Sequence, residues 1–239
     1  MKRRINIIWF AACVSISWLS AQPVPNLDFE FSVMGAERMR DIGFAQLKPS
    51  ARSNPRPTAV DFEIIPLRVS SQGRSDVYRF SGPPPLRFVA TSDTGETLRA
   101  TKMIGSINAG KLPARAMIFL DPREEGSVTA HWVDDSSAAF PAGHVRMVNL
   151  AQQRIEGALD GASFRMESAQ ILRAPQAVDN NVRLGVAYER MGRPVVVFDQ
   201  SLRLSQNERV LLVFLPPFRE GADVRVRVVR DQVRAPAVP

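Results

Sequence analysis

The chain has 239 residues and a formal net charge of +7, with 31 Lys and Arg residues against 24 Asp and Glu residues. Its one cysteine, Cys13, lies within residues 1–21. If those residues are removed on export, the mature chain has no thiol, which excludes disulfides, a cysteine nucleophile and a cysteine-ligated metal. The basic residues are dispersed along the chain, so they predict a solvated sheet face; a face that binds a polyanion, such as an acidic polysaccharide, lipopolysaccharide or anionic lipid, is the alternative.

The N-terminal segment has the pattern of a secretory signal peptide. A basic start at residues 2–4 precedes a mostly apolar run from Ile5 to Leu19, and Ala21 is the small residue expected before a cleavage site. This run is shorter than the roughly 20 apolar residues that cross a bilayer. We therefore predict a signal peptide over residues 1–21, a mature chain without a transmembrane span, and export to the periplasm or the extracellular space. An uncleaved N-terminal anchor is the alternative.

The remaining chain alternates polar and apolar residues in short runs. The clearest run is Val224–Val228, in which valines and arginines alternate, as in a sheet with one buried and one solvated face. Residues typical of turns separate the runs, and Asp160-Gly161 predicts a two-residue hairpin turn because both residues tolerate positive φ. No long run has helical periodicity. The pattern predicts an all-β fold of antiparallel strands.

Two stretches of the chain resemble each other. Ala116–Gly126 and Leu211–Gly221 share Phe-Leu, Pro and Glu-Gly at the same positions, about 95 residues apart. Leu86–Ala90 matches Val182–Val186 at nearly the same spacing. A period of this length is typical of one immunoglobulin-like sandwich, which has about 100 residues.

The repeat predicts two tandem immunoglobulin-like antiparallel β-sandwiches after the signal peptide. The first covers residues 27–137, the second covers residues 140–232, and residues 233–239 form a flexible tail. The boundary is predicted at Asp134–Ala138. One larger sandwich is the alternative.

No residue pattern predicts catalysis, a cofactor or a metal site. His131 and His144 are the two histidines, and two histidines without further spaced ligands do not make a zinc site. In the strand alternation, His131 faces away from the core. The serines lack the Gly-x-Ser-x-Gly context of a hydrolase nucleophile, and the glycine spacing provides no phosphate-binding loop.

Two further interpretations concern polar and aromatic residues near strand ends. The carboxylates near turns, among them Asp135 and Asp231, are interpreted as solvated. Trp132 corresponds to Val228 in the repeat and is therefore predicted to lie in the core.

Three short sequence segments resemble those of a group of known proteins. His144–Leu150, Arg154–Gly157 and Ala162–Arg165 resemble segments of uncharacterised exported bacterial proteins built from tandem immunoglobulin-like β-sandwiches. The resemblance implies that fold and export, and it implies no activity and no functional residue.

Together these patterns favour a non-enzymatic exported protein of the bacterial cell envelope that acts in binding, structure or assembly. Its partner is expected to be another envelope protein or a polysaccharide, and not a nucleic acid. A carbohydrate-binding or carbohydrate-active domain is one alternative. A chaperone-like periplasmic protein is another, and it predicts an L-shaped pair of sandwiches with a basic cleft between them.

Overall fold

The computed structural model describes residues 26–51, 58, 61–93, 98–108, 112–168, 170–176, 181–219 and 221–233. The predicted signal peptide and residues 234–239 of the predicted tail lie outside these ranges. Within them the secondary structure consists of β-strands and two short 3-10 turns, at Pro49–Ala51 and Glu124–Gly126. None of the described segments is a helix of the length and hydropathy that a membrane crossing requires. The all-β prediction is therefore confirmed.

The strands before residue 135 form two four-stranded sheets. The strands are β1 (Leu27–Gly35), β2 (Ile42–Leu47), β3 (Phe62–Pro66), β4 (Tyr78–Gly82), β5 (Leu86–Asp93), β6 (Leu98–Ile107), β7 (Arg115–Pro122) and β8 (Val128–Asp134). The first inner sheet has the order β4-β1-β7-β8 and the first outer sheet has the order β3-β2-β5-β6. Neighbouring strands are antiparallel except β1 and β7, which are parallel.

The strands after residue 143 form two more sheets with the same strand order. The strands are β9 (His144–Asn149), β10 (Ile155–Leu159), β11 (Ala162–Met166), β12 (Ile171–Gln176), β13 (Asn181–Arg190), β14 (Arg193–Arg203), β15 (Glu208–Leu215) and β16 (Arg225–Gln232). The second inner sheet is β12-β9-β15-β16, and the second outer sheet is β11-β10-β13-β14. Again one pair, β9 and β15, is parallel.

Three hydrophobic clusters hold the four sheets in a stack. The first core lies between the first outer and inner sheets, and the second core lies between the second inner and outer sheets. The third, which we call the junction cluster, joins the two inner sheets through side chains such as Met117, Phe119, Leu211 and Val213. The inner sheets are thus covered on both faces, which explains why β7 and β15 are continuous apolar runs.

Two local predictions have different outcomes. The Asp160-Gly161 hairpin is confirmed, because these residues have φ values of 47° and 86° and connect β10 directly to β11. The prediction that Trp132 lies in the core is wrong, because its side chain is 37% exposed. Val128 and Ala130 of the same strand do pack against the first core. Trp132 lies near the other end of β8, which is an edge strand, beyond that contact.

Gly157 provides a test of the packing in the second core. A Cβ atom at this position would lie 2.7 Å from Phe164 Cζ and would overlap the carbonyl oxygen of Gly185. We expect Gly157→Ala to lower the free energy of unfolding by about 1–3 kcal/mol, because a methyl group in filled space displaces its neighbours. Urea denaturation followed by circular dichroism measures this change.

Gly185→Ala is the matched control, because a Cβ atom there meets no atom within 4 Å. It lies on the strand next to Gly157 and is expected to change the free energy of unfolding by less than about 0.5 kcal/mol. Equal losses in the two variants would contradict the packing described here.

Candidate functional site

Charged side chains lie at one end of the junction cluster. We call Arg74, Arg115, Asp135, Arg209 and Asp231 the junction network. They come from the segment before β4, the start of β7, the residue after β8, the start of β15 and the end of β16. Because β7 and β15 begin at this end of the stack and β8 and β16 end there, the sheet order brings these positions together.

The centre of the junction network is buried. Asp135 is 2% exposed and Arg209 is 3% exposed. Arg209 Nη2 lies 3.1 Å from Asp135 Oδ1 and 2.7 Å from Asp231 Oδ2. Arg74 reaches the same two carboxylates at 3.0 Å and 2.9 Å. A buried charge is tolerated when it is paired and hydrogen-bonded, and here each guanidinium bridges the same two carboxylates.

The connection between β8 and β9 is fixed to this network. Arg209 donates hydrogen bonds to the carbonyl oxygens of Asp135 and Phe140, at 3.0 Å and 2.9 Å. The guanidinium groups of Arg146 and Arg209 lie 4.4 Å and 4.9 Å from the centroid of the buried Phe140 ring. Such contacts with an aromatic face are attractive. The segment predicted as the boundary, Asp134–Ala138, is therefore an ordered part of the junction.

A cavity of about 580 Å³ lies beside the junction network. Its lining includes residues that precede the connection, residues of the connection itself, and residues from the end of the chain. The residues are Val77, Arg115, Asp135, Ser136, Ser137, Arg209, Asp231, Gln232 and Val233. Within the described residues, Asp135 Oδ2 accepts no hydrogen bond. Arg115 Nε is 3.5 Å from this oxygen.

The opposite end of the junction cluster carries a second polar group. Asp121 is buried and its Oδ2 lies 2.8 Å from Arg123 Nη2. Burial raises the pKa of Asp121, and the charge of Arg123 partly offsets that rise. Burial also lowers the pKa of His131. His131 in β8 is paired with Phe119 in β7, and Phe119 belongs to the junction cluster. His131 therefore faces away from the first core, as the alternation predicts. The same face of the sheet is directed towards the second inner sheet.

The prediction that the arginine side chains of β16 are solvated is wrong for Arg225. Its Nη2 donates a hydrogen bond to the carbonyl oxygen of Ala36 at 3.0 Å, and its Nε donates to that of Pro216 at 2.7 Å. The guanidinium lies 3.7 Å from the centroid of the Phe218 ring. Burial lowers the pKa of Arg225. The strand alternation is correct here, but the polar face is covered by the first half of the chain.

The two histidines lie on different strands, His131 in β8 and His144 at the start of β9. His144 Nδ1 lies 3.0 Å from the carbonyl oxygen of Ala142. In the described part of the chain, no group of three or more His, Cys, Asp or Glu side chains is arranged to hold a metal ion. Asp135 and Asp231 were predicted to be solvated. Both are instead paired with arginines of the junction network.

Sequence reasoning missed the arginines of the junction network. Arg209 directly precedes the apolar run Val210–Leu215. A charged residue next to a buried strand could have indicated that Arg209 lies at the edge of the core and needs a partner of opposite charge. Arg74 lies outside any strand pattern and carried no signal. Asp135 lies in the predicted boundary, where a charged side chain is expected to be solvated.

The comparisons with known proteins add no family. No protein-family model matches the chain, and no curated protein matches its sequence significantly. The resemblance to uncharacterised exported proteins therefore stays a prediction.

Replacing Asp135 tests whether the junction network stabilises the fold. Asp135→Asn keeps the size of the side chain but removes the negative charge that Arg74 and Arg209 share. Breaking a buried ion pair commonly costs about 3–5 kcal/mol, and here Arg74 and Arg209 would have to share the carboxylate of Asp231 alone. We expect a loss of roughly 3 kcal/mol in the free energy of unfolding, measured by urea denaturation.

Glu156→Gln is the control for this substitution. Glu156 is half-exposed and pairs with Arg154 and Arg165 on the second outer sheet, at 3.1 Å and 2.9 Å. Exposed ion pairs contribute about 0–1 kcal/mol because water and salt screen them. A loss for Asp135→Asn as small as that for Glu156→Gln would show that the network is not a stabilising element.

Proposed function

We propose that the chain is an exported, non-enzymatic protein of the bacterial cell envelope that acts as a rigid binding or assembly unit. We further propose that it consists of two tandem immunoglobulin-like β-sandwiches. Export is supported by the basic start, the apolar run and Ala21. The tandem arrangement is supported by the identical strand orders before and after the connection, each enclosing its own core.

The observation that carries this proposal is the junction between the inner sheets. Tandem domains commonly move relative to each other unless their interface is large and hydrophobic. Here a change in orientation would expose the junction cluster to water and would separate Arg74 from Asp231 and Arg209 from Asp135. Both changes are costly. The two halves therefore present their outer surfaces at a fixed spacing, as a scaffold or assembly protein requires.

The chaperone-like alternative receives less support. It requires a basic cleft between two sandwiches, whereas apolar side chains such as Phe119 and Val213 fill the space between the inner sheets. The polar cavity at the end of the junction is the feature that favours ligand binding by this rigid unit.

Distance measurements between spin labels test the rigidity. The mature chain is predicted to lack cysteine, so labels can be attached to introduced cysteines without background. We expect Met103→Cys in β6 combined with Val196→Cys in β14 to give one narrow distance distribution by pulsed electron paramagnetic resonance. Both side chains are exposed on the outer sheets of different halves.

The control pair for the spin labels lies within one half. Ile171→Cys combined with Val196→Cys reports on two exposed positions after the connection. The two pairs are expected to give distributions of similar width. A broad distribution for the pair across the junction alone would contradict a rigid unit.

Export and envelope binding are tested together in cells. We expect the full chain, tagged at its C-terminus, to be recovered from the envelope fraction with Gln22 as its first residue, and to be cross-linked there to a specific partner. N-terminal sequencing and mass spectrometry measure both results.

A variant with a disrupted leader is the control for this experiment. Ile7→Asp combined with Ile8→Asp places two charges in the apolar run and should keep the chain in the cytoplasm. Partners captured with both forms are then discarded as unrelated to the envelope. A chain recovered with Met1 in the cytoplasm, or an exported monomer without any partner, would overturn the proposal.

A further inference from the structure

A methionine stands at the apex of the β13–β14 hairpin. Met191 and Gly192 form the two-residue turn between Arg190 and Arg193, with φ values of 52° and 74°. Positive φ at both turn positions favours Asn, Asp or Gly, because a larger side chain is strained there. Met191 is nevertheless 96% exposed, so it adds no packing to the fold. A strained apolar side chain without packing indicates a contact outside the chain.

A second exposed apolar side chain lies at the same end of the second half. Phe218, in the connection between β15 and β16, is 73% exposed. One face of its ring is held by the guanidinium of Arg225, 3.7 Å from the ring centroid. The hairpin and this connection are joined, because Arg190 Nη1 donates to the carbonyl oxygen of Gly221 at 3.0 Å and to Asp223 Oδ1 at 2.9 Å. Two apolar side chains therefore project from two braced connections.

Each of these apolar side chains has an arginine beside it. Arg193 follows Met191 by two residues, and Arg219 directly follows Phe218. Both arginines are exposed, and neither has an ion-pair partner among the residues that the structure describes. Their guanidinium groups are free to bind phosphate, for which the planar fork of an arginine is well suited.

The charges of the two segments balance. Residues 189–193 and 218–223 contain three arginines and three carboxylates, so together they have no net charge. Long-range attraction to a strongly anionic partner is therefore not expected. A surface that carries both signs of charge matches the phosphate and ammonium groups of a zwitterionic lipid headgroup layer.

The shape of this end also favours a lipid surface over a protein. A stable protein interface buries about 800 Å² of contiguous surface on each partner. Met191 and Phe218 instead project singly from separate connections, and a protein would need a matching socket for each. The edge of the hydrocarbon in a bilayer accepts apolar side chains without a matching shape, while neighbouring arginines stay at the headgroups.

We propose that this end of the second half docks on a phospholipid bilayer with zwitterionic headgroups. Met191 and Phe218 insert at the edge of the hydrocarbon, and Arg193 and Arg219 pair with lipid phosphates. The proposal rests on the exported binding unit proposed above and specifies the surface that the unit binds.

Co-sedimentation of the mature chain with lipid vesicles tests the proposal. One series of vesicles contains phosphatidylcholine and phosphatidylethanolamine, and a second contains the same lipids with phosphatidylglycerol. We expect binding to both series with affinities within about threefold of each other, and little weakening by salt, because a surface without net charge gains little from anionic lipid. No binding to the zwitterionic vesicles, or binding that salt abolishes, would overturn the proposal.

Met191→Asn separates lipid binding from folding. It is expected to weaken vesicle binding about tenfold through the loss of one inserted apolar side chain. The unfolding temperature should stay constant or rise, because Asn adopts the positive φ of this turn more readily than Met. Phe218→Ser is expected to weaken vesicle binding by a similar factor.

Met103→Asn is the matched control, since Met103 is a 60% exposed methionine in β6, far along the chain from both connections. It should leave vesicle binding unchanged. Unchanged binding in Met191→Asn, or an equal loss in Met103→Asn, would contradict the assigned contact.

Insertion is measured directly with a polarity-sensitive fluorophore on an introduced cysteine. We expect the emission of the label on Met191→Cys to shift to shorter wavelength when zwitterionic vesicles are added, and that on Met103→Cys to stay constant. A photo-cross-linker on Met191→Cys that captures a protein instead of lipid in the envelope would reveal a protein socket and overturn the proposal.

The failure of this proposal and that of the proposed function are distinguishable. Absence of vesicle binding by a chain that is exported with Gln22 as its first residue and has an envelope partner would refute the lipid contact alone. A chain recovered with Met1 in the cytoplasm would refute the proposed function, whereas vesicle binding by the purified chain would still support the lipid contact.

Discussion

The contact between the two inner sheets removes both faces of β7 and β15 from water. Each of these strands sends alternate side chains into its own core and into the junction cluster, so neither face keeps polar residues along its centre. Burial of this kind is the dominant favourable term in folding. It requires the charged groups of these two strands to lie at their ends, and the structure places Arg209 at the start of β15 and Asp121 near the end of β7.

The junction network follows from that constraint. A charge at the edge of an apolar interface loses its water, and it is stable only with partners of opposite charge. The sheet order brings Arg74, Arg209, Asp135 and Asp231 to one place although they are distant in sequence. The same edge is open enough to hold a cavity. The feature that fixes the two halves therefore also leaves a cavity with a polar lining at this edge.

The repeat in the sequence located equivalent strands but not their register. The Phe-Leu match aligns Phe119 with Phe214, yet Phe119 faces the junction cluster and Phe214 faces the second core. A shift of one residue reverses the facing of every side chain in a strand. In β5 and β13 the match is correct, since Phe88 and Leu184 both face their cores. Strands buried on both faces have no polar alternation, so their register could not be determined from the sequence.

The sequence by itself determined what depends on neighbouring residues: the all-β class, the Asp160-Gly161 hairpin, the alternation of β16 and the leader-like pattern of residues 1–21. Only the tertiary structure decided which polar faces are covered. Arg225 follows the pattern of a solvated strand but binds the carbonyl oxygen of Ala36, and Trp132 follows a core pattern but lies at an exposed edge. The reason is physical: alternation specifies the two faces of a strand, whereas the partner of each face comes from sheets formed by distant parts of the chain.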